Sequence, residues 1–135
     1  MFTLQKMKEI AKKENVIFYK QSCPFCIAAE ALMKELVKSN IILDYQVYFL
    51  DKDFDNETLK ELVLDPEFGW KPDSHQNFPS KPQIFLNVEK GKTQYIGGNK
   101  EFYNCSWNLG KNNSGKIKIQ NKDYQTPNKQ NPKRF

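Results

Sequence analysis

An apolar run, a Cys-Pro-Phe-Cys motif and a helical stretch follow one another almost without spacers, and this succession fixes the centre of the fold. Val16, Ile17, Phe18 and Tyr19 are β-branched or aromatic and read as a buried strand. Cys23, Pro24, Phe25 and Cys26 come next. Ile27, Ala28, Ala31, Leu32, Glu35 and Leu36 then recur at helical spacing, so a helix runs to about Lys38, with Asn40 as a stop signal. Pro24 suits the first turn of that helix, where an N–H would be unpaired anyway. Tyr45, Val47 and Phe49, continuing to Leu50, read as a second strand. A strand, a crossover helix and a second strand imply a parallel pair with a right-handed connection.

The flanks complete the pattern. Phe2, Leu4, Met7, Ile10 and Ala11 predict an amphipathic helix over residues 2–13. Asp55, Asn56 and Thr58 are capping residues ahead of Leu59, Leu62 and Val63, a third helix. Residues 65–81 hold Pro66, Pro72 and Pro79 among polar residues and read as an extended loop. Ile84, Phe85 and Leu86 read as a third strand, Lys90-Gly91 as a turn, and Thr93 to Ile96 as the return strand of a hairpin. Gly97-Gly98 breaks that strand. Residues 99–109 read as a last helix, packed through Phe102, Trp107 and Leu109. The expected fold is α/β, a central four-stranded mixed sheet flanked by helices, one of them N-terminal.

At 135 residues and 39% hydrophobic content, the chain suits one domain. Charge divides it near residue 109. Residues 1–109 carry 14 Lys and 15 Asp or Glu, whereas residues 110–135 carry seven Lys or Arg and one Asp. The net charge of +5 therefore belongs to the end of the chain. Gly110, Asn112, Asn113, Ser114 and Gly115 read as a hinge, and the residues after it have too few apolar side chains to order. Lys116 to Ile119 is at most an edge strand. The expected organisation is a domain over 1–109 and a disordered basic tail over 110–135. Such a tail binds nucleic acid weakly at best, through phosphates. No apolar run of 18 residues occurs, and residues 1–14 interleave lysines with apolar positions, unlike a secretory signal. With only three cysteines, these features predict a cytoplasmic, reducing setting and a monomer without membrane contact.

In such a setting C-x-x-C points to catalysis or metal binding rather than to a structural bridge. Cys23 falls at the N-cap of its helix. The amides of Phe25 and Cys26 and the positive end of the helix dipole favour its thiolate. Placement of this kind lowers a thiol pKa from ~8.5 to roughly 3.5–7.5. Lys20, three residues earlier, adds positive charge. The thiolate is the attacking species in disulfide exchange, and Cys26, one turn further in, is the candidate resolving thiol. The competing reading is a zinc site completed by Cys105 and His75. Those two stand alone and far apart, whereas structural zinc sites pair two short-spaced clusters. No metal is expected. Otherwise Cys105 reads as a packing residue or a secondary oxidisable thiol, His75 as exposed, and Trp70 and Trp107 as core or rim aromatics.

Three segments together resemble the glutaredoxin family over about residues 15–109. Lys20 to Cys26 is similar to the family's lysine followed by C-P-[YF]-C, Ser80 to Phe85 to its T-V-P-x-[IV]-F, and Ile96 to Glu101 to its G-G-x-[TS]-[DE]. The Asp-rich region and long loop between them resemble some viral members. The resemblance implies a thioredoxin-like fold and a glutathione-dependent oxidoreductase acting through Cys23, with Cys26 resolving. Its substrates would be protein disulfides and glutathionylated thiols, such as an oxidised ribonucleotide reductase. It further implies a cis bond before Pro82 and the Lys81 backbone beside Cys23, facing the cysteinyl unit of glutathione. Lys20 would take the glycine carboxylate, and Phe25 would keep the family's apolar contact. The γ-glutamyl carboxylate would meet Gly97, Gly98 and the amides of Asn99, Lys100 and Glu101. Two positions depart from the pattern. Lys81 replaces the usual valine and is expected to stabilise the Cys23 thiolate further or to contact a substrate carboxylate. Pro79 replaces a polar or basic residue, leaving His75 or Gln76 as the loop's candidate substitutes. Two other functions share the motif. One is a thioredoxin-like reductase recycled by a flavoprotein, although thioredoxins resemble C-G-P-C. The other is a [2Fe–2S] carrier in which two chains hold the cluster through Cys23 and glutathione.

Overall fold

β1 (Val16–Tyr19) is buried along its whole length, and its alternation sorts the core. Ile17 and Tyr19 enter an apolar cluster with Cys26, Met33, Leu36, Ile84, Leu86 and Phe102. Val16 and Phe18 enter a second cluster with Met7, Ile10, Phe54, Leu59, Leu62 and Phe85. A strand buried on both faces needs a helical layer on each side. The computed structural model, which describes residues 1–112 and the side chains of residues 1–105, supplies both layers. The helices α2 (Pro24–Lys38) and α4 (Asn99–Asn112) cover the first face, and α1 (Leu4–Lys13) and α3 (Asn56–Leu64) cover the second.

The sheet adds β2 (Gln46–Phe49), β3 (Gln83–Glu89) and β4 (Lys92–Gly97) in the order β2-β1-β3-β4. β1 and β2 are parallel, from Val16 opposite Gln46 to Tyr19 opposite Phe49. β3 runs antiparallel to both β1 and β4. The α/β, four-stranded mixed sheet read from the sequence is therefore present, with its one parallel pair joined through α2. Phe18 anchors the second face. Its ring meets Phe54 at 5.2 Å and Phe85 at 5.9 Å, both edge-on.

Element ends differ from the sequence reading for identifiable reasons. α1 begins at Leu4 because the Thr3 hydroxyl accepts the Lys6 N–H at 3.1 Å and caps it. Phe2 lies outside the helix, its N–H donating to the Asp53 carbonyl and its ring edge-on to Tyr48. β3 and β4 are longer than expected, because the polar pair Glu89 and Lys92 extends the ladder, past an irregularity between Leu86 and Glu89, where apolar patterning gives no signal. α4 continues through Gly110 to Asn112, past the boundary expected at 109. A single glycine costs a helix only ~1 kcal/mol and does not end it. The packing expected of Trp107 and Leu109, the candidate strand 116–119 and the expected disorder of the tail lie outside the described residues. Among those that are described, no helix is long and apolar enough to cross a membrane.

The 65–82 segment has no helix or strand, as its prolines predict. Its start is pinned. Trp70 N–H donates to the Val63 carbonyl, and the Phe68 ring meets Phe85 at 4.9 Å. Trp70 packs at the rim of the second cluster. The rest of the segment is largely exposed until it returns at Pro82 to begin β3.

Candidate active site

The chain leaves β1 through a turn in which Ser22 adopts φ 61°, a left-handed conformation that costs a non-glycine residue roughly 1 kcal/mol. Cys23 follows in extended conformation as the N-cap of α2, with Pro24 at the first helical position. Its carbonyl accepts the Cys26 N–H at 3.1 Å and the Ile27 N–H at 3.0 Å. This turns the Cys23 side chain toward the open end of the helix. Cys23 is partly exposed and Cys26 fully buried, with the Cys26 sulfur accepting the Lys20 N–H at 3.4 Å.

Three sequence segments converge here. The Cys23 sulfur faces the Lys81 carbonyl at 3.8 Å, and the Lys81–Pro82 bond is cis. Gly97 pairs with Ile84 across the ladder, and a side chain at Gly98 would come within 3.7 Å of the Pro82 carbonyl. A cleft of about 520 Å³ opens beside the sulfur, lined by residues 20–25 together with Ser80 and Lys81. Lys20 and Phe25 thus line the same cleft as Cys23. Among the described residues, no protein acceptor meets the Lys81 N–H.

Cys23 is held as a thiolate, its pKa lowered to about 6. The hydrogen bond from the Cys26 thiol contributes most. Partial burial opposes it, and the amides of Cys26 and Phe25 and the charge of Lys20 assist. The sulfur closes no full capping hydrogen bond, so these amides act through their orientation rather than by short contact. Cys26 is displaced the other way, first by donating to Cys23 and then by burial. The helix start, the two amides and Lys20 were all legible in the sequence. The largest contribution was not, because spacing does not reveal which sulfur carries the proton.

The remaining candidates fall into place around this pair. Lys81 was expected to stabilise the Cys23 thiolate, but its ammonium is drawn to the Asn56 side chain and the Pro79 carbonyl. Lys20 is the cation that lowers Cys23, and the pull between Lys81 and Cys23 is the weakest of the charge effects on Lys81. Gly97, Gly98, Asn99, Lys100 and Glu101 form the junction of β4 and α4 behind Pro82, outside the cleft wall. Glu101 does not leave all the amides of this junction open. Its carboxylate accepts the Gly98 N–H at 3.0 Å, while the Gly98 carbonyl accepts the Phe102 N–H at 2.9 Å. Glu101 is the third residue of the helix and makes the carboxylate half of a capping box, Gly98 having no side chain to return the second bond. His75 and Gln76 turn about Asp73 in the exposed loop and do not line the cleft, so neither replaces the contact missing at Pro79. Cys105 is half-buried against the α2–α4 face, and burial pushes its thiol up. Among the described residues, no three His, Cys, Asp or Glu side chains gather as a metal ion requires, so Cys23, Cys26, Cys105 and His75 do not form one group.

Sequence reading also missed Tyr19 and Asn56. The Tyr19 hydroxyl is pushed up to about 12 by burial, then by Glu30 and the two thiols. Asn56 is visible in sequence only as a helix-start residue, and its hold on Lys81 spans 25 positions. Comparison with family models, with curated proteins and with solved structures returns no match to this chain.

The depressed thiol predicts a pH-dependent stability of the reduced protein. An unfolded Cys23 ionises near its ordinary 9.0, whereas the folded one has already done so near 6. Between these values the unfolded state binds more protons, so stability rises with pH. The stabilisation is complete above about 9 and is lost as pH falls through 6. The full difference corresponds to about 4 kcal/mol, and solvent screening of the half-exposed sulfur reduces it to about 2 kcal/mol. Above 9 the trend turns, because Cys26 resists ionisation in the folded state. Denaturant melts of reduced wild type and Cys23→Ser between pH 6 and 9 check this. The wild-type midpoint should climb and the variant's should stay flatter.

Proposed function

We propose that this chain is a glutathione-dependent thiol–disulfide oxidoreductase of the glutaredoxin type, on a thioredoxin-like fold, working in a reducing compartment such as the cytoplasm. One observation carries the reading: a half-exposed Cys23 thiolate at a helix start, resting on a buried and protonated Cys26. The Cys23 sulfur attacks one sulfur of a substrate disulfide. A new S–S bond forms as the substrate bond breaks, and the departing sulfur leaves as a thiolate that takes a proton from water. Cys26 then gives up its proton and attacks Cys23, releasing the second substrate sulfur and leaving a Cys23–Cys26 disulfide. Two glutathione molecules reduce that disulfide and become glutathione disulfide.

For glutathione, the open Lys81 backbone suits the cysteinyl unit, the Lys20 ammonium a carboxylate, and the Phe25 ring an apolar contact across the cleft. The β4–α4 junction at Gly97, Gly98, Asn99 and Lys100 suits the γ-glutamyl end. There Glu101 already accepts the Gly98 N–H, so the ligand carboxylate must share that helix start or displace the side chain. Oxidised and glutathionylated proteins, ribonucleotide reductase among them, are the corresponding partners. No metal is assigned to the site.

Turnover of a small mixed disulfide, coupled in separate reactions to glutathione with its reductase or to a thioredoxin reductase, tests the reading. Glutathione should support turnover at least about tenfold better than the flavoprotein alone. Turnover only with the flavoprotein would replace the proposal by a thioredoxin-like reductase, and an iron–sulfur absorbance with no turnover would replace it by a cluster carrier.

A further inference from the structure

Two ammonium groups share the cleft with Cys23, and neither has an ion-pair partner among the described residues. Lys20 and Lys81 both line it, whereas the ion pairs lie elsewhere, at Lys8–Asp65, Lys12–Glu67 and Lys92–Glu89. Lys81 is not a loose surface lysine. It is half-buried, and its Nζ donates to Asn56 Oδ1 at 2.5 Å and to the Pro79 carbonyl at 3.0 Å, both neutral acceptors. An ammonium has three donors, so one is left for a ligand. Burial first, and then the nearby charge of Lys20, make the charged form of Lys81 harder to hold. Asp51 and the thiols act the other way, with no carboxylate within 4 Å. A partly desolvated cation held by neutral groups alone is incompletely compensated, and a second cation beside it adds repulsion. An anion between the two relieves both. The bonds to Asn56 and Pro79 already fix the Lys81 rotamer, so taking up that anion costs little side-chain entropy.

We propose that Lys81, absent from the glutaredoxin pattern, adds a second ammonium to the carboxylate contact already given to Lys20, making a two-ammonium anion subsite beside Cys23, and that Lys81 selects disulfides carrying a carboxylate close to the S–S bond. The substrate-selecting part rests on the reductase reading above; the subsite itself does not.

Alkylation separates the two. Reduced full-length protein is treated with iodoacetate, an anion, and with neutral iodoacetamide. In both reactions the Cys23 thiolate attacks carbon, an S–C bond forms and iodide leaves. The thiolate fraction therefore cancels in the ratio of the two rates. At low salt the wild-type ratio should exceed that of free cysteine about threefold to tenfold, as attraction over several ångströms at a protein surface allows. Added salt should lower it. Lys81→Gln, which still offers donors to Asn56 and Pro79, should lower the ratio about threefold, and Lys81→Arg should keep it. A wild-type ratio equal to that of free cysteine, or one unchanged in Lys81→Gln, overturns the subsite.

The second arm compares kcat/KM for two mixed disulfides that differ only in ending as a cysteinylglycine carboxylate or as its carboxamide. Wild type should prefer the carboxylate about threefold or more, and Lys81→Gln should lose most of that preference. Equal kcat/KM for the two in wild type removes the selecting role of Lys81. A raised alkylation ratio with neither disulfide turned over supports the subsite and removes the reductase reading.

Discussion

Replacing Cys23 with serine is expected to cut disulfide turnover by ~10³-fold or more, to the uncatalysed background. A serine hydroxyl does not ionise near neutral pH and forms no covalent intermediate with a disulfide sulfur. More telling is why the second cysteine cannot take over. Cys26 is fully buried in the α2–α4 face, and its thiol is held protonated. An external disulfide reaches it only if the helix start opens. Cys105, half-buried and with its pKa raised, offers no better route. The check is a glutathione-coupled assay on the purified variant, with near-ultraviolet circular dichroism to show that it folds. Residual turnover above about a tenth of wild type would mean that Cys23 is not the attacking sulfur.

What the sequence revealed about this site was its local physics. A strand ending at Tyr19, a proline in the first helical turn and a cysteine between them are enough to place a sulfur at a helix start. The alternation that buries Ile17 on one face and Phe18 on the other is not visible in a continuous apolar run. It emerges once helices are found to cover both sides. The hidden features were long-range or hinged on a proton. Asn56 reaches Lys81 across 25 positions, and Asn87 ties β3 to the end of α1 through the Ala11 and Glu14 carbonyls, 76 and 73 positions away. No periodicity encodes such contacts. The Glu101 cap was the opposite case. The Gly98–Glu101 spacing was present in the sequence, but the glycines drew attention to an outside ligand rather than to the helix's own carboxylate.

Alanine at position 26 is expected to lower the Cys23 thiolate fraction at pH 6 about fivefold to 50-fold and to slow iodoacetamide alkylation by somewhat less, since a thiolate of higher pKa is intrinsically more nucleophilic, whereas serine there should change both far less. The difference isolates one hydrogen bond. The Cys26 thiol is the largest contributor to the low pKa of Cys23, and a hydrogen bond to a charged group is worth about 1.5–3 kcal/mol, which is one to two powers of ten in the thiolate equilibrium. Alanine removes the donor and leaves the amides and Lys20 to act alone, so the Cys23 pKa rises from about 6 toward its ordinary value. Serine keeps an O–H where the S–H was. Ultraviolet thiolate absorbance as a function of pH gives the same answer without a reagent, and overlapping titrations for wild type and Cys26→Ala would dismiss the bond. The same bond holds the proton on Cys26, because the Cys23 thiolate is the first cause of its raised pKa. Once the Cys23 sulfur enters a mixed disulfide it carries no charge, that cause disappears, and Cys26 becomes easier to ionise. The resolving thiol is thus kept inert until an intermediate exists for it to resolve. Cys26→Ser should therefore still attack glutathione mixed disulfides, with free glutathione releasing the adduct, while losing most of its turnover of protein disulfides, whose release depends on that second sulfur.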